Sequence, residues 1–176
     1  PDKNDLFLSV TIPAAIDGQP VTNIAFEAFT TAYTSEKKAK NAVTYNDKLG
    51  LFYLTAADFT NAVHLKTIQK QAFNNSAYLS GTVDLSNTAL ISIDKMAFQN
   101  CTKLTEVLLP DTLESLGAAE GGSVFKGCTA LTGVALPDSL TALGYGALAE
   151  NGLKIQAINS TVRLGEDETT VYTFAV

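Results

Sequence analysis

Few side chains in this chain could do chemistry: two cysteines, one histidine and a scatter of carboxylates. Cys101 and Cys128 have no histidine near them and do not make a closed zinc site. His64 is the sole histidine, and no serine or cysteine lies in a nucleophile-elbow setting such as Gly-x-Ser-x-Gly. A hydrolytic triad would have to be assembled around His64 alone, and an ordinary loop or strand-edge residue is the simpler reading. Paired carboxylates hydrolyse glycosides, and Asp84, Glu106, Asp111, Glu114 and Asp138 are candidates. Asp111 and Asp138, however, each follow a proline, where turn chemistry accounts for them. Glu166-Asp-Glu168 has the charge to attract calcium, but three consecutive acids more often form a solvated turn. Gly144-Tyr-Gly146 fails the spacing of a dinucleotide loop. The expectation is no catalytic residue, no cofactor and no metal.

The elements that hold these residues are set by a repeat. Leu104-Thr-Glu-Val107-Leu-Leu109-Pro110-Asp111-Thr-Leu113-Glu-Ser-Leu116-Gly117 returns as Leu131-Thr-Gly-Val134-Ala-Leu136-Pro137-Asp138-Ser-Leu140-Thr-Ala-Leu143-Gly144. An Ala-Phe pair recurs at Ala72-Phe73 and Ala97-Phe98, then becomes Val124-Phe125 and Ala147-Leu148, at steps of 25, 27 and 23 residues. A period in the twenties with fixed leucine slots predicts a right-handed leucine-rich repeat solenoid. It would be built of short parallel strands with loops and 3₁₀ turns, mainly β with little helix. Val83-Asp-Leu85, Val107-Leu-Leu109 and Val134-Ala-Leu136 alternate as half-buried strands, the last two closed by Pro110 and Pro137. Leu113 and Leu116, like Leu140 and Leu143, fit a 3₁₀ turn or bent strand on the opposite side, with Gly117 and Gly144 turning the chain. Phe73, Phe98 and Phe125 are expected to stack as an internal spine. Cys101 and Cys128 then share one slot in adjacent turns. The strand spacing of about 4.8 Å permits a disulfide, but parallel side chains favour two buried free thiols.

The solenoid is expected over residues 1–158, with a degenerate or inserted segment at about 30–63, and 159–176 as a strand-rich cap or the start of a following module. In the irregular part, Leu51-Phe-Tyr-Leu54 reads as a strand and Ser35 to Ala42 as a short helix on the rim. The 176 residues are 46% hydrophobic and 17% charged, ample for a continuous core. A net charge of −6 argues against nucleic acid, since counterion displacement needs concentrated Lys and Arg; the Lys37, Lys38 and Lys40 cluster reads as a solvated loop. No apolar run of eighteen residues is present to span a bilayer. The abrupt opening into Leu6-Phe-Leu-Ser-Val-Thr-Ile12-Pro13 suggests an excised mature fragment, so a missing leader is silent about compartment.

Ile12-Pro13, Leu109-Pro110-Asp111, Leu136-Pro137-Asp138-Ser139-Leu140, the Ala-Phe pairs and Gly127-Cys128-Thr-Ala-Leu131 together resemble the BspA-like leucine-rich repeats. The likeness runs from roughly Leu6 to Ile158, is strong over Leu90 to Leu148, and is broken around Thr30 to Val63. It implies an exported, surface-displayed, non-catalytic binding module of the adhesin kind, found on bacteria and some protozoa, with host matrix or cell-surface proteins as partners. For such a source, the sequons at Asn74-Asn-Ser76, Asn100-Cys-Thr102 and Asn159-Ser-Thr161 read as chance. Asp111-Thr-Leu113 and Asp138-Ser-Leu140 resemble an O-glycosylation acceptor of some gut anaerobes, but the repeat template already dictates those letters.

For a recognition surface, the outward strand positions are Thr82, Asp84, Ser86, Glu106, Leu108, Gly133 and Ala135, a small mixed face with no expected aromatic platform. Aromatics crowd the irregular segment instead, at Tyr33, Tyr45, Phe52, Tyr53 and Phe59. Candidate partner-binding residues are therefore Tyr33, Tyr45, Asp84, Glu106 and Leu108. The expected partner is an extracellular protein such as a host matrix component, engaged by a monomer without membrane insertion. A structural spacer and a carbohydrate-recognition or glycan-processing module are the competing readings. An exposed aromatic cluster on the 30–63 segment would favour binding over spacing.

Overall fold

The computed structural model describes residues 6–30, 52–117, 122–151 and 163–164. Every element in them is a short strand. Six two-residue strands form one parallel sheet: β4 (Asn23–Ile24), β6 (Thr67–Ile68), β8 (Ser92–Ile93), β10 (Ser115–Leu116), β12 (Ala142–Leu143) and β13 (Arg163–Leu164), side by side in chain order. Their register aligns Ile24, Ile68, Ile93, Leu116, Leu143 and Leu164. The first five of these are buried, which is why one aliphatic residue per turn suffices to define this sheet. Of the 3₁₀ turn or bent strand expected around Leu116 and Leu143, the chain forms the strand.

The longer strands form the other side. β7 (Ser80–Asp84), β9 (Lys103–Leu108) and β11 (Gly133–Val134) make a three-stranded parallel sheet. β1 (Leu6–Thr11) pairs in parallel with β5 (Phe52–Asp58), and the Ser80 hydroxyl donates to the Thr55 carbonyl at 3.3 Å, joining β5 to β7. Register shifts leave Thr55 and Thr105 as bulged residues of β5 and β9. Asp58 closes β5 by accepting the Thr60 amide at 2.9 Å. Hydrogen bonds from the Thr60 side chain and backbone hold the Asp58 carboxyl below its usual range. A small antiparallel hairpin, β2 (Ala15–Ile16) with β3 (Gln19–Pro20), turns at Asp17-Gly18, both at positive φ as a two-residue primed turn requires.

Between the sheets, hydrogen bonds run from each turn to the next. The amides of Phe29, Phe73, Phe98 and Phe125 donate to the carbonyls of Ala72, Ala97, Val124 and Ala147 at 2.7–3.0 Å. The phenylalanine rings stack accordingly: Phe29 on Phe73 at 5.0 Å, Phe73 on Phe98 at 4.8 Å, and Phe98 on Phe125 at 5.5 Å between centroids. Phe59, from the irregular segment, packs edge-on against Phe73 at 6.2 Å and is part of the core. The residues two before and two after each spine position adopt left-handed backbone: Gln71 and Asn75, Met96 and Asn100, Ser123 and Gly127, Gly146 and Glu150. Two left-handed columns therefore flank the spine. Gly117 turns the chain at φ +73, as expected, whereas Gly144 has no such φ; it is glycine because a Cβ there would strike the Gly117 carbonyl.

Candidate functional site

The outer face of the three-stranded sheet gathers three of the five candidate residues. The β7–β9 register sets Thr82 beside Glu106 and Asp84 beside Leu108, while Val83 and Val107 point into the core. The Thr82 hydroxyl donates to Glu106 Oε2 at 2.9 Å. On the far side Gly133 leaves room for Glu106, since a Cβ there would sit 3.2 Å from Glu106 Cγ. Asp84 accepts the Ser86 amide at 2.9 Å and its hydroxyl at 2.6 Å, so it also closes its strand. Leu108 is 37% exposed. Tyr33 and Tyr45 lie outside the described residues.

The outward positions of this face carry no ring, but an aromatic cluster stands beside them. Phe7 of β1, Tyr53 of β5 and Tyr78, two residues before β7, meet at the starts of adjacent strands. Their centroids form a triangle with sides of 5.4 Å (Phe7–Tyr53), 5.2 Å (Phe7–Tyr78) and 4.7 Å (Tyr53–Tyr78). Such spacing is the preferred range for aromatic pairs. The next strand adds Lys103, whose Nζ sits 4.4 Å from the Tyr78 centroid, a cation–π contact. Position 103 lies beside position 78 because the Thr102 hydroxyl donates to the Ala77 carbonyl at 3.4 Å. Phe7 is 49% exposed and Tyr53 and Tyr78 are half-buried, so the trio opens to solvent through Phe7.

Physically, this arrangement supplies apolar area, two phenols and a cation on a rigid sheet edge, the ingredients of recognition. Phe7 stacks on Tyr53 at 26° and meets Tyr78 edge-on at 69°, while Lys103 lies over the Tyr78 ring. One signal in the sequence marked the site: Tyr53, Tyr78 and Lys103 follow one another at steps of 25 residues, the step from Phe73 to Phe98.

The remaining candidates have structural partners. Cys101 and Cys128 are free and buried, and each thiol donates to the phenylalanine carbonyl one turn back, Cys101 Sγ to Phe73 at 3.2 Å and Cys128 Sγ to Phe98 at 3.0 Å. Burial pushes the Cys101 thiol well up. The hydroxyls of Thr112 and Ser139 donate at 2.7 Å to the carbonyls of Leu90 and Leu113, tying neighbouring turns together. In the first sequon Asn74 and Ser76 are buried; in the second, Asn100 Nδ2 donates to Asn75 Oδ1 at 2.8 Å. His64 is exposed in an open groove of about 350 Å³ with Ala15, Gly18, Pro20, Thr22 and Lys66. Among the described residues no group of three His, Cys, Asp or Glu side chains is placed to hold a metal, and no helix is long and apolar enough to cross a membrane.

Two solved structures share this architecture. A leucine-rich repeat protein from Bacteroides ovatus is 26% identical with a TM-score of 0.50, over 57% of this chain and 25% of that one. A leucine rich cell surface protein from Faecalibacterium prausnitzii is 25% identical with a TM-score of 0.54, over 89% of this chain and 43% of that one. This chain thus spans less than half the length of either. Among curated proteins there is no match. The model of the BspA type leucine rich repeat region matches residues 47–169 in six copies, the same stretch in which the phenylalanine spine, the leucine slots and the two-residue strands recur. With repeat, ladder and spine in agreement, the chain belongs to the BspA-type leucine-rich repeat family.

Proposed function

We propose that this chain is a non-catalytic, surface-displayed module that binds an extracellular protein as a monomer, with a host matrix or cell-surface protein as its partner. One observation carries the reading: a cluster of half-exposed Phe7 with half-buried Tyr53 and Tyr78, capped by exposed Lys103, stands at the starts of the strands. Aromatic side chains dominate binding hot spots because they desolvate large areas at low cost in conformational entropy. Leu108, Glu106 and Asp84 on the same face supply the mixed rim that such a centre needs. Family membership supports a surface or protein-interaction role, and the Faecalibacterium relative is itself a cell surface protein. A spacer has no use for half-exposed Phe7, which costs solubility without adding to the core.

The test is biolayer interferometry of the purified chain against immobilised fibrinogen, fibronectin, further matrix proteins and a glycan panel. Saturable binding to one protein, reduced at least tenfold in a Phe7→Ala/Tyr78→Ala variant that keeps its thermal midpoint, is the expected result. Silence across the panel from folded protein returns the spacer to first place.

A further inference from the structure

We infer that the aromatic cluster is built to take a partner segment in which a carboxylate adjoins an aliphatic side chain, with Lys103 as the anion-recognising residue; this rests on the protein-binding reading above. The chain is acidic, with a net charge of −6, yet the cation nearest its exposed rings has no carboxylate partner among the described residues. Its neighbours explain why. Tyr78 holds the ammonium over its ring at 4.4 Å, and the nearby carboxylate on the same strand, Glu106, accepts its hydrogen bond from Thr82. Lys126, beside Phe125 at the next step of the spine, shows the alternative, an ion pair to Glu150 at 3.2 Å. Lys103 is therefore an exposed cation held over a ring, with no carboxylate partner among the described residues.

An ammonium already stacked on an aromatic ring retains its hydrogen-bond donors for a second ligand, and an incoming carboxylate meets charge and apolar area together. Among the described residues Lys103 is the cation placed over an aromatic ring, so charge and apolar area coincide at this site. A neutral sugar would make no use of the cation's charge.

The experiment uses fluorescein-labelled decapeptides alternating leucine with glutamate, with glutamine or with lysine, titrated by anisotropy with the whole chain up to millimolar concentration. The acidic peptide is expected to bind about fivefold more tightly than its glutamine twin, the scale of one exposed ion pair. Lys103→Met should erase that preference, bringing the acidic and glutamine peptides to equal affinity, and Lys103→Glu should transfer it to the lysine peptide. Tyr78→Ala should weaken all the peptides about tenfold, the scale of one aromatic contact. Equal binding of the acidic and glutamine peptides, or a preference that survives Lys103→Met, overturns the anion assignment and leaves the apolar protein-binding reading standing. No peptide binding at all overturns the assignment too. Matrix proteins or a neutral glycan bound in a Tyr78-dependent, Lys103-independent manner do the same and identify which ligand class the rings serve.

Discussion

The rings of Phe73 and Phe98 lie within 3° of parallel with centroids 4.8 Å apart, the same spacing as neighbouring strands in a sheet. The aromatic spine and the hydrogen-bond ladder therefore share one pitch, so each turn satisfies its backbone and its core against the same neighbour. Phe98 is stacked on both sides, by Phe73 and Phe125, and is fully buried. Phe98→Ala should cost about 3–5 kcal/mol in urea unfolding, and Phe98→Leu much less because the leucine at position 148 already serves that slot. Phe29, only half-buried, should cost less when truncated.

The left-handed columns make the opposite kind of prediction. Gln71 and Met96 occupy φ of 58° and 59°, a conformation that costs a side chain with a Cβ roughly 1–2 kcal/mol. Comparing glycine with alanine at one site isolates that backbone term from lost side-chain contacts. Gln71→Gly should be more stable than Gln71→Ala by about 1 kcal/mol, and likewise at Met96, reversing the order seen in helices or strands. Thermal unfolding of the four variants checks it. An alanine variant as stable as its glycine twin would remove strain from the account of these turns.

How far the sequence revealed the molecule follows from what repeats in it. The spine was legible because phenylalanine returns at a near-constant step, and the inward valines because Val83 and Val107 alternate with exposed Asp84 and Leu108. The six-stranded sheet was harder, since two residues such as Ser92-Ile93 cannot display an alternation; they are a strand only because Ile68 and Leu116 flank them. The aromatic cluster was harder to see: its 25-residue step from Tyr53 to Tyr78 to Lys103 is there, but the residue type changes along it and Phe7 lies outside that step. Phe, Tyr, Tyr and Lys fill successive turns, and Phe7 reaches Tyr53 across 46 positions. Binding surfaces of repeat proteins are where the template is free to vary, so the period that exposes the fold gives the site's spacing and not its residue types.

The thiols yield a pH dependence. Burial raises the folded pKa of Cys101 well above its ordinary value, so the folded state keeps a proton that the unfolded chain releases. The corresponding stability is present in full below the unfolded thiol pKa and is lost as pH rises from there toward the folded one. The neighbouring Cys101 thiol draws Cys128 the other way, but against its own burial, and the Cys101 shift is the larger. Native protein should decline in stability from about pH 8.5 upward. Cys101→Ala should flatten that decline relative to its own neutral-pH value, read as urea midpoints between pH 7 and pH 10.

Thr112 and Ser139 test whether a motif is signal or scaffold. Each stands in an Asp-Ser/Thr-Leu phrase, and each hydroxyl donates at 2.7 Å to the carbonyl of a leucine in the preceding turn, Leu90 and Leu113. The accepting carbonyls belong to the turns that follow the longer strands, where the chain bends toward the two-residue sheet and water is shut out by Leu113 and Leu140. Removing a hydroxyl leaves a carbonyl short of one partner, a loss of about 0.5–1.5 kcal/mol per bond. Thr112→Val keeps the shape and removes only the donor, so it should lower stability by that amount; Ser139→Ala should do the same. Because the two residues join adjacent pairs of turns through Leu113, their double variant should lose more than the sum, as expected where neighbouring repeats support one another. A neutral Thr112→Val would release this hydroxyl from its structural role and make it a candidate for modification.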